Sequence, residues 1–150
     1  MDGVFVLLNT HPELKSYTSG DESLLACAAR KNRDFFLRRL LEWGCDPDVR
    51  DTTGSTLLMD YCSVGVKEKV VLLLKHGADP NMQNLAGETS LSFACAKNHF
   101  SCARVLYEHG ADLNKDVGEN GGKPLDWAIR FGSKNFVKWL RAHGAIRGIK

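Results

Sequence analysis

No stretch of this 150-residue chain approaches the roughly 20 consecutive apolar residues that a membrane-spanning helix needs. Its opening run, Val4-Phe5-Val6-Leu7-Leu8, is short and follows Asp2 rather than a basic segment, so it lacks the layout of a secretory signal. A cytoplasmic and/or nuclear setting is expected. Charge of one sign is also missing: 20 lysines and arginines face 18 acidic residues, for a net charge of +2. Bulk charge therefore predicts neither a nucleic-acid nor a membrane partner. Cysteine is scarce and odd in number. The five cysteines contain no Cys-x-x-Cys pair, which argues against a disulfide framework or a zinc finger.

Catalytic patterns are absent too. The segment Gly118-Glu119-Asn120-Gly121-Gly122-Lys123 lacks the spacing and preceding strand of a phosphate-binding loop. Asp46-Pro47-Asp48 reads as a turn, because the further oxygen ligands of a calcium loop are missing. Nothing places a base beside Cys27 or Cys102. No enzymatic activity, cofactor, metal or small-molecule substrate is expected.

What the chain does have is a returning glycine. Gly44, Gly77, Gly110 and Gly144 are separated by 33, 33 and 34 residues, each in a similar phrase: Trp43-Gly44-Cys45-Asp46, His76-Gly77-Ala78-Asp79, His109-Gly110-Ala111-Asp112 and His143-Gly144-Ala145. A fixed period near 33 means one supersecondary unit stacked several times. Apolar residues recur seven, four and three positions before the glycine (Leu37, Leu40 and Leu41 in the first copy), weakening to Leu106-Tyr107 and Leu140-Arg141 at the last two positions of the later copies, and these places share one helical face. The glycine ends that helix. Turn residues follow, at Asp51-Thr52-Thr53-Gly54, Asn84-Leu85-Ala86-Gly87 and Asn120-Gly121-Gly122. A shorter helix then starts at Thr56, Thr89 or Lys123-Pro124, with Thr56 and Thr89 as N-caps. Small residues Ala28-Ala29, Ala94-Cys95 and Ala128 let paired helices approach. Cys62 and Cys95 hold the same place in consecutive copies, and read as small apolar residues in a helix contact rather than as a redox pair or metal ligands.

This pattern resembles the ankyrin repeat: a turn, a short helix with T-P-L-H-x-A-A, a second helix with V-x-x-L-L, then G-A-D-x-N. The resemblance covers about residues 20–147. It implies one all-α solenoid of stacked helix-turn-helix units joined by hairpin-like loops, with repeats at about 20–50, 51–83, 84–116 and 117–150. Leu7-Leu8 and Val4 keep the phase with His11 in the glycine's place, so residues 2–14 are expected to form a half-repeat helix within a cap spanning about 2–19. The chain departs from the pattern in two ways. Ala26, Met59, Ser92 and Asp126 stand where the family has its bridging histidine, so cohesion should lean on apolar burial. Tyr61 replaces a small alanine, and a displaced or irregular first helix is expected around residues 57–63. The extra residue before Gly144 is assigned to the Lys115–Gly122 loop, expected to be the longest and most mobile hairpin.

In the family, partners contact the hairpin tips and the concave side formed by the first helices. The resemblance therefore implies a non-catalytic protein-interaction module, monomeric on its own. Carried over, the tips offer Arg50, Thr52, Thr53 and Ser55, then Gln83, Leu85, Ala86 and Glu88. The first helices end in Arg30-Lys31, Ser63-Val64, Ala96-Lys97 and Arg130-Phe131. Arg30, Lys31, Lys97 and Arg130 are either a broken basic stripe for an acidic protein or peptide or ordinary solvated charges. Leu85 and Phe131 add apolar anchors. Hairpin asparagines in the family can be hydroxylated, and Asn81 and Asn114 hold that place. In size and repeat count the chain is also similar to the small ankyrin inhibitors of cyclin-dependent kinases. A domain cut from a larger protein is a third reading, against which a start at Met1 weighs on the N-terminal side.

Overall fold

In the computed structural model, residues 10–16, 18–19, 22–118 and 122–148 are described. Eight α-helices follow in pairs among them: α1 (Leu24–Arg30) with α2 (Asp34–Glu42), α3 (Leu57–Val64) with α4 (Lys67–Lys75), α5 (Ser90–Ala96) with α6 (Phe100–Glu108), and α7 (Pro124–Phe131) with α8 (Lys134–Ala142). A short 3-10 turn, Pro12–Ser16, and a two-residue antiparallel pairing of Thr18–Ser19 with Glu22–Ser23 precede them. Of the half-repeat helix expected over residues 2–14, residues 2–9 lie outside the described residues, and the end of that range falls in the Pro12–Ser16 3-10 turn.

The punctuation acts as the sequence suggests. Ser23, Thr56 and Thr89 hydroxyls accept N–H bonds from Ala26, Met59 and Ser92, capping α1, α3 and α5. Pro124 opens α7. The four period glycines sit at φ between 86° and 91°, where a side chain would be strained. The histidine before three of them also has a structural task. Nδ1 of His76, His109 and His143 donates to the carbonyls of Leu72, Val105 and Trp139 one turn back, at 2.8–2.9 Å. The Val105 and Trp139 carbonyls also accept the backbone N–H of the same histidine, at 3.2 and 3.1 Å, so there the ring adds a second bond at the helix end.

One continuous core runs through the stack. It is built from the second-helix leucines (Leu37, Leu40, Leu73, Leu106, Leu140), the first-helix leucines (Leu25, Leu58, Leu91, Leu125) and the small residues Ala94, Cys95 and Ala128. Cohesion between copies is not left to apolar burial alone, as the missing histidines suggested. Asn81 Oδ1 accepts from Asp112 N–H at 2.7 Å, and its amide donates to Gly110 O at 2.9 Å. Asn114 repeats this with Ile146 N–H and Gly144 O, at 2.8 and 3.0 Å. Asp48 begins the series by accepting from Asp79 N–H at 3.0 Å. These rungs cross from one copy to the next at the foot of each hairpin.

Of the displaced or irregular helix expected around Tyr61, the irregular form is not found. α3 runs unbroken from Leu57 to Val64, ending on Gly65 at φ 85°. The overpacking is relieved between copies instead of within one. α5 packs on α3 on one side and on α7 on the other, whereas α1 makes no comparable contact with α3. Tyr61 stands in that gap, half-buried, where Ala94 and Ala128 are wholly buried in the later copies. Lys69 lies 5.2 Å from its ring centroid and binds Asp34 at 2.6 Å and Asn32 at 2.9 Å, tying the first two copies together on the far side. For the Lys115–Gly122 hairpin, Val117 pairs with Gly122 at the base, and residues 119–121 lie outside the description.

Candidate functional site

The hairpin tips are stitched to each other by their backbones. Leu85 N–H donates to Thr53 O at 3.0 Å, and Gly118 N–H to Gly87 O at 3.1 Å. The tips at residues 51–55 and 84–88 are each closed internally by an Asx turn. Asp51 Oδ1 accepts from Thr53 and Ser55 N–H, and Asn84 Oδ1 from Ala86 and Glu88 N–H, all within 3.1 Å. Two residues offered as partner contacts serve this stitching. Arg50 Nη1 donates to Gln83 O at 2.7 Å, and Gln83 Nε2 to Asp116 O at 2.8 Å. Glu88 is half-buried and accepts from Asn84 Nδ2 at 3.0 Å, while the Thr53 hydroxyl donates to Asp51. The tips therefore present Thr52 and above all Leu85, which is 80% exposed.

On the first-helix face, Arg30, Lys31, Val64, Lys97, Arg130 and Phe131 are exposed and Ser63 is half-buried. Apolar surface accompanies the charge: Val64 is 69% exposed, and Phe131 stacks on Trp127 with centroids 6.1 Å apart. The Arg130 guanidinium lies 5.1 Å from the Phe131 centroid.

Where α1 stands off from α3, a cleft of about 530 Å³ opens. Ala26 and Ala29 form one wall, Leu57, Tyr61 and Val64 the other, and Val49 and the first tip close one end. Arg30 and Arg50 bring positive charge to it, Asp51 and Asp60 negative. Burial, and then the Asp51 charge, pushes the Asp60 carboxyl above its usual range. Of this lining, sequence reasoning singled out Arg30, Arg50, Thr52, Ser55 and Val64 but missed the floor. The only signal was Tyr61, a large ring at an alanine position.

The cleft holds no nucleophile-and-base arrangement, and among the described residues no three His, Cys, Asp or Glu side chains gather as a metal site. Cys62, Cys95 and Cys102 are buried, and burial pushes each thiol up, away from the reactive thiolate. Asn81 and Asn114 are half-buried with both ends of each amide engaged.

Stacked helix pairs, stitched hairpins and a broad face in place of an enclosed pocket define a repeat solenoid. The family model of ankyrin repeats (3 copies) matches residues 24–115 and 58–147, and the chain belongs to the ankyrin repeat family. No curated protein matches it. Ankyrin repeats are generally protein-interaction modules, and proteins built from them are typically non-catalytic.

Proposed function

We propose that the chain is a binding module that takes an extended segment of a partner protein along its first-helix face, with one apolar side chain of that segment seated between α1 and α3. The observation that carries this reading is the cleft itself, with its apolar walls and charge of both signs. Exposed Val64, Leu85 and Phe131 continue the apolar surface onto α3, a hairpin tip and α7. A polypeptide spans such a series of anchors, and a few apolar side chains carry most of an interface's binding energy. The mixed charge favours a partner segment with charges of both signs over a purely acidic one.

The test compares the proteins captured by the wild type with those captured by Ala29→Trp, which fills the cleft, and by Phe35→Ser on α2. Circular dichroism verifies that both variants are folded. A partner held through the cleft is lost with Ala29→Trp and kept with Phe35→Ser. Equal affinity of that partner for all three proteins sinks the reading.

A further inference from the structure

The charge of this chain is balanced in total but not in space. Seven of the 20 lysines and arginines, but one of the 18 acidic residues, lie after Gly122, so residues 123–150 carry +6 and the preceding 122 residues −4. The single acid, Asp126, is already occupied by Arg147 at 3.0 Å and by the Gly148 and Lys123 N–H groups.

The phase of the repeat shows where this charge sits. In the third copy, Phe100 and Tyr107 of α6 face the fourth copy: Phe100 meets Phe136 and Trp139 with centroids 5.1 and 5.4 Å apart, and Tyr107 meets Trp139 and His143 at 5.5 and 5.0 Å. One period later the same two places hold Lys134 and Arg141. The face that stacks on a next copy has exchanged its aromatic ridge for cations, with Lys138 between them. Lys134, Lys138 and Arg141 are all exposed and have no ion-pair partner among the described residues. Spaced i, i+4 and i+7, they form one stripe about 10 Å long on α8. Beside them Ile129, Val137 and Gly132 line a shallow hollow of about 400 Å³, with Ile129 40% exposed.

We propose that this end face is a second docking surface, distinct from the cleft, for an acidic amphipathic segment of a partner protein. The three cations match carboxylates at the same helical spacing, and the hollow seats one apolar side chain among them. A cap that served solubility alone needs neither a single sign of charge nor an apolar seat. That apolar component favours a polypeptide over nucleic acid, whose phosphates would use the cations and leave the hollow empty.

The experiment titrates the full chain with a labelled peptide of about 12 residues carrying glutamates at i, i+4 and i+7 around a central leucine. Phosphatidylserine vesicles and duplex DNA are titrated in parallel. The peptide is expected to bind, to weaken with added salt, and to lose at least tenfold in affinity with K134E/K138E/R141E. The milder K134Q/K138Q/R141Q should lose most of the same affinity. Replacing the leucine by serine should also weaken binding, and Ala29→Trp should leave it unchanged, which separates this surface from the cleft. The proposal is overturned if the peptide does not bind, if charge reversal leaves binding unchanged, or if vesicles or DNA bind as tightly through the same three cations.

Discussion

The imidazole of His99 fills the space that a Cβ on Gly65 would take. Gly65 ends α3 at φ 85°, and His99 precedes α6 in the next copy, with its Nε2 donating to Ser63 O at 3.1 Å. Gly65 is therefore required twice, once by its backbone and once by its neighbour's ring. Gly65→Ala should cost about 2–4 kcal/mol, combining left-handed strain with displacement of His99. In a His99→Ala background only the strain remains, about 1–2 kcal/mol. Urea unfolding of the four proteins measures the coupling, and an equal penalty in both backgrounds would discard the role of the ring.

Asp48 is the weak rung of the inter-repeat series. Asn81 and Asn114 both accept and donate across the repeat boundary, but a carboxylate has no proton to offer the Gly77 carbonyl in the matching place. Burial pushes the Asp48 carboxyl above its ordinary 3.8 against the pull of the Asp79 N–H, and the Asp46 and Asp79 charges push the same way. A carboxyl raised in the folded state subtracts stability at neutral pH and returns it as acidification protonates it. Asp48→Asn should therefore stabilise the protein by about 1 kcal/mol at neutral pH, adding one hydrogen bond and removing the charge. The gain should shrink as pH falls through the carboxyl range. Denaturation midpoints across pH test it, and a neutral or destabilising effect at pH 7 rejects it.

The repeat was legible because its markers answer to local physics: a glycine that must take positive φ, a hydroxyl that must cap, leucines that must share a face. These constraints act within one copy, so one copy read in phase reveals the others. The cleft was not legible because it depends on the distance between α1 and α3, which no single copy encodes. Tyr61 warned of a helix displaced or distorted, and the structure separates two helices rather than distorting one. Arg50 and Gln83 show a related limit. A polar side chain at a hairpin tip looks the same in sequence whether it awaits a partner or holds the next hairpin.

Tyr61 carries a further cost. Its hydroxyl oxygen is buried with no hydrogen-bond partner among the described residues. Burial first, then the Asp34 and Asp60 charges, raise its ionisation to about 12. Tyr61→Phe removes an unsatisfied polar atom and keeps the ring between the copies, so a gain of about 0.5–1 kcal/mol is expected. A loss of stability would show that the hydroxyl is satisfied in solution.

The cysteines differ in access rather than in type. Cys27 is half-buried, whereas Cys45, Cys62, Cys95 and Cys102 are buried. With a thiol-reactive dye at neutral pH, one thiol should react quickly and four only on unfolding, and Cys27→Ser should abolish the fast phase. Two or more fast thiols in the native protein would contradict this packing.

Asp126 gives the C-terminal segment a pH-dependent anchor. Burial pushes its carboxyl up, but the N–H bonds from Gly148 and Lys123 and the Arg147 side chain together outweigh that and hold it below the ordinary 3.8. A depressed carboxyl contributes stability that is fully present above the unfolded value and is lost as pH falls through the folded one. The Gly148 amide should therefore be protected from hydrogen exchange at neutral pH, with protection fading only under acid conditions below about pH 4. Asp126→Ala should remove that protection at every pH and cost about 1 kcal/mol, because it also strips the Lys123 N–H at the start of α7 of its acceptor. Unchanged Gly148 exchange in this variant would mean that the terminal segment is held by Ala145 and the Asn114 rung instead.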